Sequence, residues 1–222
     1  MKTKNILVRY GISTLGLIFV ALGVGLSMKS NLGIAPPSCP PNILWLQWPS
    51  IDFGTYTWLF NFSFIVVQFL LLRKKFPLAA LMQIPAILVF GYLCDGAIWL
   101  FNATDFATSY GPQLLLTAAA IVTTAIGIRL EIVGQGWTLP VDKMNAVISE
   151  MTHVRYSNIK ILCDIVLVAM TAVFSWFAFG LLSGDGIHFV IREGTLILAV
   201  GVGLCMKLTD PLVDGIFGRL VK

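Results

Sequence analysis

Two polar stretches punctuated by proline hold most of the side chains in this sequence that could engage a small solute. The first runs from Lys29 to Asn42 and contains Asn31, Gly33, Pro36, Pro37, Ser38, Pro40 and Pro41. The second runs from Gly134 to Asn145 and contains Gln135, Gly136, Trp137, Thr138, Pro140 and Asp142. Proline has no N–H and interrupts helix continuity, so each stretch leaves backbone donors and carbonyls unpaired. Helices restarting near Ser38 and Asp142 would present free N–H groups and a partial positive charge. Such helix starts suit a carboxylate, phosphate or sulfonate. Gly33 and Gly136 stand where the backbone must bend or approach a solute closely. The expected substrate-binding residues are therefore Asn31, Gly33, Pro36, Ser38, Gln135, Gly136, Trp137, Thr138, Pro140 and Asp142. The alternative is a pair of interfacial loops anchored by Trp45, Trp48 and Trp137.

Charged residues in apolar surroundings form the second set. Asp95, Arg129, Glu131, Lys207, Asp210 and Asp214 fall within or at the ends of apolar segments, and they are the expected coupling or gating groups. A charge at the centre of a membrane helix costs about 2.5–3.5 kcal/mol on insertion scales, so each needs a partner, a cavity or a short reach to the surface. Lys207 and Asp210 are spaced to pair on one helix face, as are Lys160 and Asp164. Snorkelling to the headgroups remains open for Lys160, Arg129 and Lys207. Asp95 has no basic residue within a turn. Asn61, Gln68 and Gln83 are expected to face the bundle interior.

The remaining chemistry is sparse. His153 and His188 fall in loops on opposite sides, and Cys39, Cys94, Cys163 and Cys205 are too scattered for a disulfide framework or zinc site. No metal ligand set, cofactor motif, nucleotide-binding loop, Ser/His/Asp order or paired catalytic carboxylates is visible. The expectation is a protein that is not an enzyme.

The elements positioning these groups are membrane spans. The chain is 57% hydrophobic and 12% charged, with mean hydropathy +0.87, and a soluble domain of 222 residues needs about twice that charge. Apolar runs occur at 12–28, 56–72, 78–100, 114–128, 159–182 and 196–208. With roughly 20 apolar residues per span, these predict six spans, the sixth admitting Lys207, Asp210 and Pro211 and breaking near Pro211. The first run lacks a cleavage site and reads as an uncleaved span rather than a signal peptide. Of 15 basic residues, all but Lys29 and Arg192 fall on one side when both termini are cytoplasmic, as the positive-inside rule requires. The net charge of +4 is thus a topology mark, and nucleic acid is not an expected partner. The expected location is the bacterial inner membrane.

Residues 1–108 and 109–222 each hold three spans, so a duplicated second half must run through the membrane upside down. One constant offset of 104 residues pairs Ala21 with Ala125, Gly23 with Gly127, Leu26 with Leu130 and Pro36 with Pro140. Asp95-Gly96 and Asp214-Gly215 form a further apparent pair. The fold expected is an all-α membrane protein of two inverted three-helix repeats. Each repeat has a proline-rich re-entrant or broken segment after its first helix.

Several short motifs resemble a known family. Arg9-Tyr10-Gly11, Gly16, Ala21-Leu22-Gly23-Val24 and Asn31-Leu32-Gly33-Ile34-Ala35-Pro36 are similar to the opening of the YczE-like bacterial membrane proteins, relatives of the YitT family. Phe53-Gly54-Thr55, Gln83 and Phe90-Gly91 add to the likeness, whereas Pro37 stands where that group often has tryptophan. The resemblance implies a small multi-span inner-membrane protein and supplies no substrate or site residues. The function expected is a small secondary transporter for an anionic or zwitterionic solute, its partners being that solute and the lipid bilayer. A membrane-embedded binding or accessory subunit of a larger uptake or biosynthetic complex is the alternative, and a homodimer is left open.

Overall fold

A computed structural model describes residues 3–73, 78–103, 109–186 and 188–221. Eight α-helices follow one another: α1 (Thr3–Ser30), α2 (Cys39–Gln47), α3 (Phe53–Leu72), α4 (Gln83–Asn102), α5 (Tyr110–Gly134), α6 (Pro140–Thr152), α7 (Tyr156–Phe179) and α8 (Glu193–Val221). Short 3-10 turns precede α2 (Pro36–Ser38) and α4 (Leu78–Met82). Among the described residues the only strand-like pairing is one isolated bridge between Gly184 and Phe189.

Six helices are long and apolar enough to cross a membrane, namely α1, α3, α4, α5, α7 and α8. Large apolar side chains stand exposed along them, among them Leu70, Tyr92, Trp99, Phe177 and Leu208. A water-facing surface could not carry that much exposed hydrocarbon, whereas lipid requires it. The protein is an all-helical, multi-pass membrane protein.

The helix limits follow from local chemistry. α1 and α5 both stop at a left-handed residue, Asn31 (φ 54°) and Gln135 (φ 53°). α2 and α6 both start with proline in the first turn, where the missing N–H has no helical partner to lose. α3 begins beneath the Asp95 side chain, whose Oδ1 accepts the Gly54 N–H at 2.9 Å. α8 runs on through Pro211 where the sequence predicts a break. A proline removes one intrahelical bond and crowds the preceding turn, and the many bonds on either side keep the helix continuous.

α1 packs along α5 at the centre, with α4 beside α1 and α8 beside α5. Gly16 meets Gly127 so closely that a Cβ on Gly16 would sit 2.7 Å from the Gly127 carbonyl oxygen. Gly23 presses in the same way on Ala120 and Thr124, so the two helices run antiparallel. Small residues let helix backbones approach within lipid, where dispersion and weak polar contacts drive association. α3 lies against α4 and α7 against α8, while the short helices cross over: α2 packs on α7 and α6 on α3.

Candidate functional site

Both breaks turn back into the bundle. After α1 ends, Ala35, Pro36 and Ser38 return to the level of Val20 and Val24, about two turns inside Ser30. After α5 ends, Leu139, Val141 and Asp142 return to the level of Thr124 and Ile128, about two turns inside Gly134. Between them lies a central cavity of about 40 Å³, completed by Thr57 and Asn61 of α3 and by Lys160 and Asp164 of α7. All of its lining is buried apart from Pro37, which is half-buried.

Each return is held by the same kind of bond. Ser27 Oγ accepts the backbone N–H of Ala35 at 3.4 Å, and Glu131 Oε2 accepts that of Leu139 at 2.9 Å. In both cases the donor lies immediately before the proline that opens the return, Pro36 of the 3-10 turn or Pro140 of α6, and eight residues after the acceptor. Gln68 adds a second tie at the second break: its Nε2 donates to the Pro140 carbonyl at 3.0 Å, and its amide exchanges hydrogen bonds with Gln83 at 3.0 and 3.1 Å. Asn61, Gln68 and Gln83 thus face the interior as the sequence predicts.

The cavity's polar groups are specific. Lys160 Nζ contacts both oxygens of Asp164 at 2.7 Å, and both side chains are almost fully buried. The expected intrahelical pair therefore forms, and Lys160 does not snorkel to the surface. Asp142 Oδ1 accepts from the Tyr156 hydroxyl at 3.0 Å. Thr57 Oγ1, Asn61 Oδ1 and Thr124 Oγ1 are buried without a hydrogen-bond partner among the described residues. Orphaned polar oxygens at one place are what a solvent molecule, ion or ligand would satisfy.

The ten residues expected to form one site are divided by the fold. Pro36, Ser38 and Asp142 line the central cavity, and Pro140 stands buried beside it. Gln135, Gly136 and Thr138 instead line a separate cleft of about 360 Å³ with Gln83, Lys143 and Glu150. Gly136 donates its N–H to Ser13 Oγ at 3.0 Å, and Trp137 stacks edge-on against Tyr10 with ring centres 5.0 Å apart. Asn31 is exposed at the opposite end, where its carbonyl accepts from Arg192 Nη1 at 2.7 Å. Gly33 adopts φ 121° and lies so close to Thr195 that a Cβ would be 2.8 Å from its backbone N. Glycine at 33 is thus explained by packing.

The expected coupling charges are also redistributed. Asp95 caps the start of α3, which explains its lack of a nearby cation. Arg129 Nε lies 2.8 Å from Asp214 Oδ1 and 3.8 Å from Asp210 Oδ1, so it pairs across to α8 rather than snorkelling, and Asp210 faces it rather than pairing with Lys207. Asp95 and Asp214 have unlike partners, the Gly54 N–H and the Arg129 guanidinium. Glu131 is fully buried and serves the second break directly. The sequence pattern singles out Asn61 as facing the interior and Lys160–Asp164 as a local pair, but it marks none of them as site residues and passes over Thr57. Their signal was readable: each pair is spaced i, i+4 near the start of a span, and the pairs lie 103 residues apart.

Helix α2 carries Pro40 and Pro41 in its first turn after Pro36 and Pro37, so the first break has few N–H groups to offer. The anion cradle expected near Ser38 is therefore depleted of donors. No group of three or more His, Cys, Asp or Glu is placed to hold a metal ion among the described residues. No curated protein matches the chain, and no solved structure does. The family shown below does not carry the YczE-like name of the proteins that the opening motifs resemble. A family model spans residues 7–211, nearly the whole chain, and on that match the protein belongs to the DUF6198 family, a family of unknown function.

Proposed function

We propose that this protein is a small secondary transporter of the bacterial inner membrane, built from two inverted repeats around the central cavity. One observation carries the proposal: the same local geometry recurs at a constant spacing of 104 residues and meets at one cavity. Asn31 and Gln135 share the left-handed turn, Ser27 and Glu131 hold Ala35 and Leu139, and Val20, Val24 and Ser38 face Thr124, Ile128 and Asp142 across the cavity. The α1–α5 contacts obey the same rule, since Gly16–Gly127 becomes Gly23–Ala120 when the halves are exchanged. Paired broken segments converging at membrane depth are the arrangement in which alternating access rocks one repeat against the other.

The two breaks are closed by different partners. Arg192 and Thr195 hold the first, while Arg9 and Ser13 hold the second, Arg9 Nε donating to the Gly134 carbonyl at 3.3 Å. Those closures are at opposite ends of the bundle, as two gates should be. With Asp142 and Asp164 against Lys160, and with the first break poor in donors, the cavity favours a zwitterionic solute over a simple anion.

Reconstitution tests the proposal. Purified protein in sealed liposomes should carry a small labelled zwitterion such as glycine down an imposed gradient. Binding to detergent-solubilised protein with no flux in liposomes would support the alternative, a membrane-embedded binding subunit that needs a coupling partner.

A further inference from the structure

The lining of the central cavity holds polar oxygens that no group among the described residues pairs. Asp164 spends both oxygens on Lys160, at 2.7 Å each, which leaves the Asp142 carboxylate as surplus negative charge, with Tyr156 as a hydroxyl donor at 3.0 Å. Around it, Thr57 Oγ1, Asn61 Oδ1 and Thr124 Oγ1 have no hydrogen-bond partner among the described residues, and all three residues are more than nine-tenths buried. Asn61 is oriented by its Nδ2, which donates to the Thr57 carbonyl at 2.9 Å, so its free atom is the oxygen. These groups come from α3, α5 and α6, so they converge only in the folded bundle. Four proximal prolines remove the N–H groups that an anion would need.

We propose that the cavity binds a small monovalent cation, of alkali or ammonium type, between the Asp142 carboxylate and the oxygens of Asn61, Thr57 and Thr124. Oxygen-only donors suit hard cations. Asp142 supplies the one carboxylate of the lining not bonded to Lys160, with Glu131 outside the lining and committed to the Leu139 N–H, which suits a single charge. The volume of about 40 Å³ admits a few waters or a partly dehydrated ion, and excludes a bulky organic cation. The site rests on the reading of this cavity as the transport site, and the ion is the natural coupling species for that transport.

Thermal unfolding of the purified full-length protein at fixed ionic strength tests the site, with sodium, potassium, ammonium or N-methylglucamine as the chloride. At least one small cation should raise the midpoint by about 5 °C over N-methylglucamine, with a saturable concentration dependence. The comparison among the three small cations identifies the species. Asn61→Leu and Thr124→Val should abolish most of that shift while the midpoint in N-methylglucamine stays near wild type. Equal midpoints in all four salts, a response to pH alone, or an undiminished shift in both variants would overturn the site. Liposome flux separates the two proposals: flux without any cation dependence of the midpoint removes the ion site and leaves the transporter. Cation stabilisation without flux of any solute removes the transporter and leaves the ion site.

Discussion

Glu131 Oε2 accepts the backbone N–H of Leu139 at 2.9 Å, bridging the entire second break with one fully buried carboxylate. Its other oxygen has no hydrogen-bond partner among the described residues. Glu131→Gln keeps an acceptor for Leu139 and should leave stability within about 1 kcal/mol of wild type. Glu131→Leu strands a buried N–H and should cost about 1–3 kcal/mol. Reversible unfolding in detergent measures both, and equal losses would show that charge, rather than the backbone bond, matters at this position.

Lys160 and Asp164 make the most buried ion pair among the described residues. Lys160→Met alone leaves a buried carboxylate uncompensated and should cost about 3–5 kcal/mol. Pairing it with Asp164→Leu should recover most of that loss, while solute flux stays absent in both proteins. A double-mutant cycle with unfolding and flux as readouts separates the structural role from the transport role.

Glycines along α1 should differ sharply in tolerance. Gly16 faces the Gly127 carbonyl with no room for a Cβ, whereas Gly11 has nothing within 4 Å of where a Cβ would be placed. Gly16→Ala should destabilise by about 1–3 kcal/mol by pushing α1 off α5. Gly11→Ala should stabilise by up to about 1 kcal/mol through its lower backbone entropy. Midpoints from the same unfolding assay decide the comparison.

Asp95 offers a test of capping against coupling. Its carboxylate meets the Gly54 N–H at 2.9 Å, at the first turn of α3. Asp95→Ala should cost about 1 kcal/mol, Asp95→Asn should cost less, and neither should change the solute specificity of transport. A change in ion dependence with unchanged stability would instead place Asp95 in the coupling pathway.

Inverted repeats require the two breaks to lie on opposite sides of the membrane. Single cysteines at Lys143 and at Arg192, in a background lacking the native cysteines, should react with a membrane-impermeant maleimide from opposite faces. On the positive-inside expectation, Lys143 should label from the cytoplasmic face. Labelling of both from one face would sink the inverted topology.

How much of this was legible in the sequence can be judged from particular residues. Hydropathy and the two proline clusters sufficed for six spans, two short helices and their order, because span length is set by the thickness of hydrocarbon and proline acts on its own turn. The Lys160–Asp164 pair was legible too, since i, i+4 spacing places both groups on one helix face. Asn31, Gly33, Gln135 and Gly136 were legible as places where backbone bends, yet whether a bend faces a solute or a neighbouring helix depends on what packs there. Thr195, Ser13 and Tyr10 fill those positions, from segments more than a hundred residues away. The cavity itself, with Thr57, Asn61 and Thr124 turned inward and Asp95 turned to cap α3, was decided by tertiary structure alone. In helices this uniformly apolar, composition sets where a span begins and ends, but its rotation is set by close glycine contacts and by hydrogen bonds between helices, which exist only once the spans have assembled.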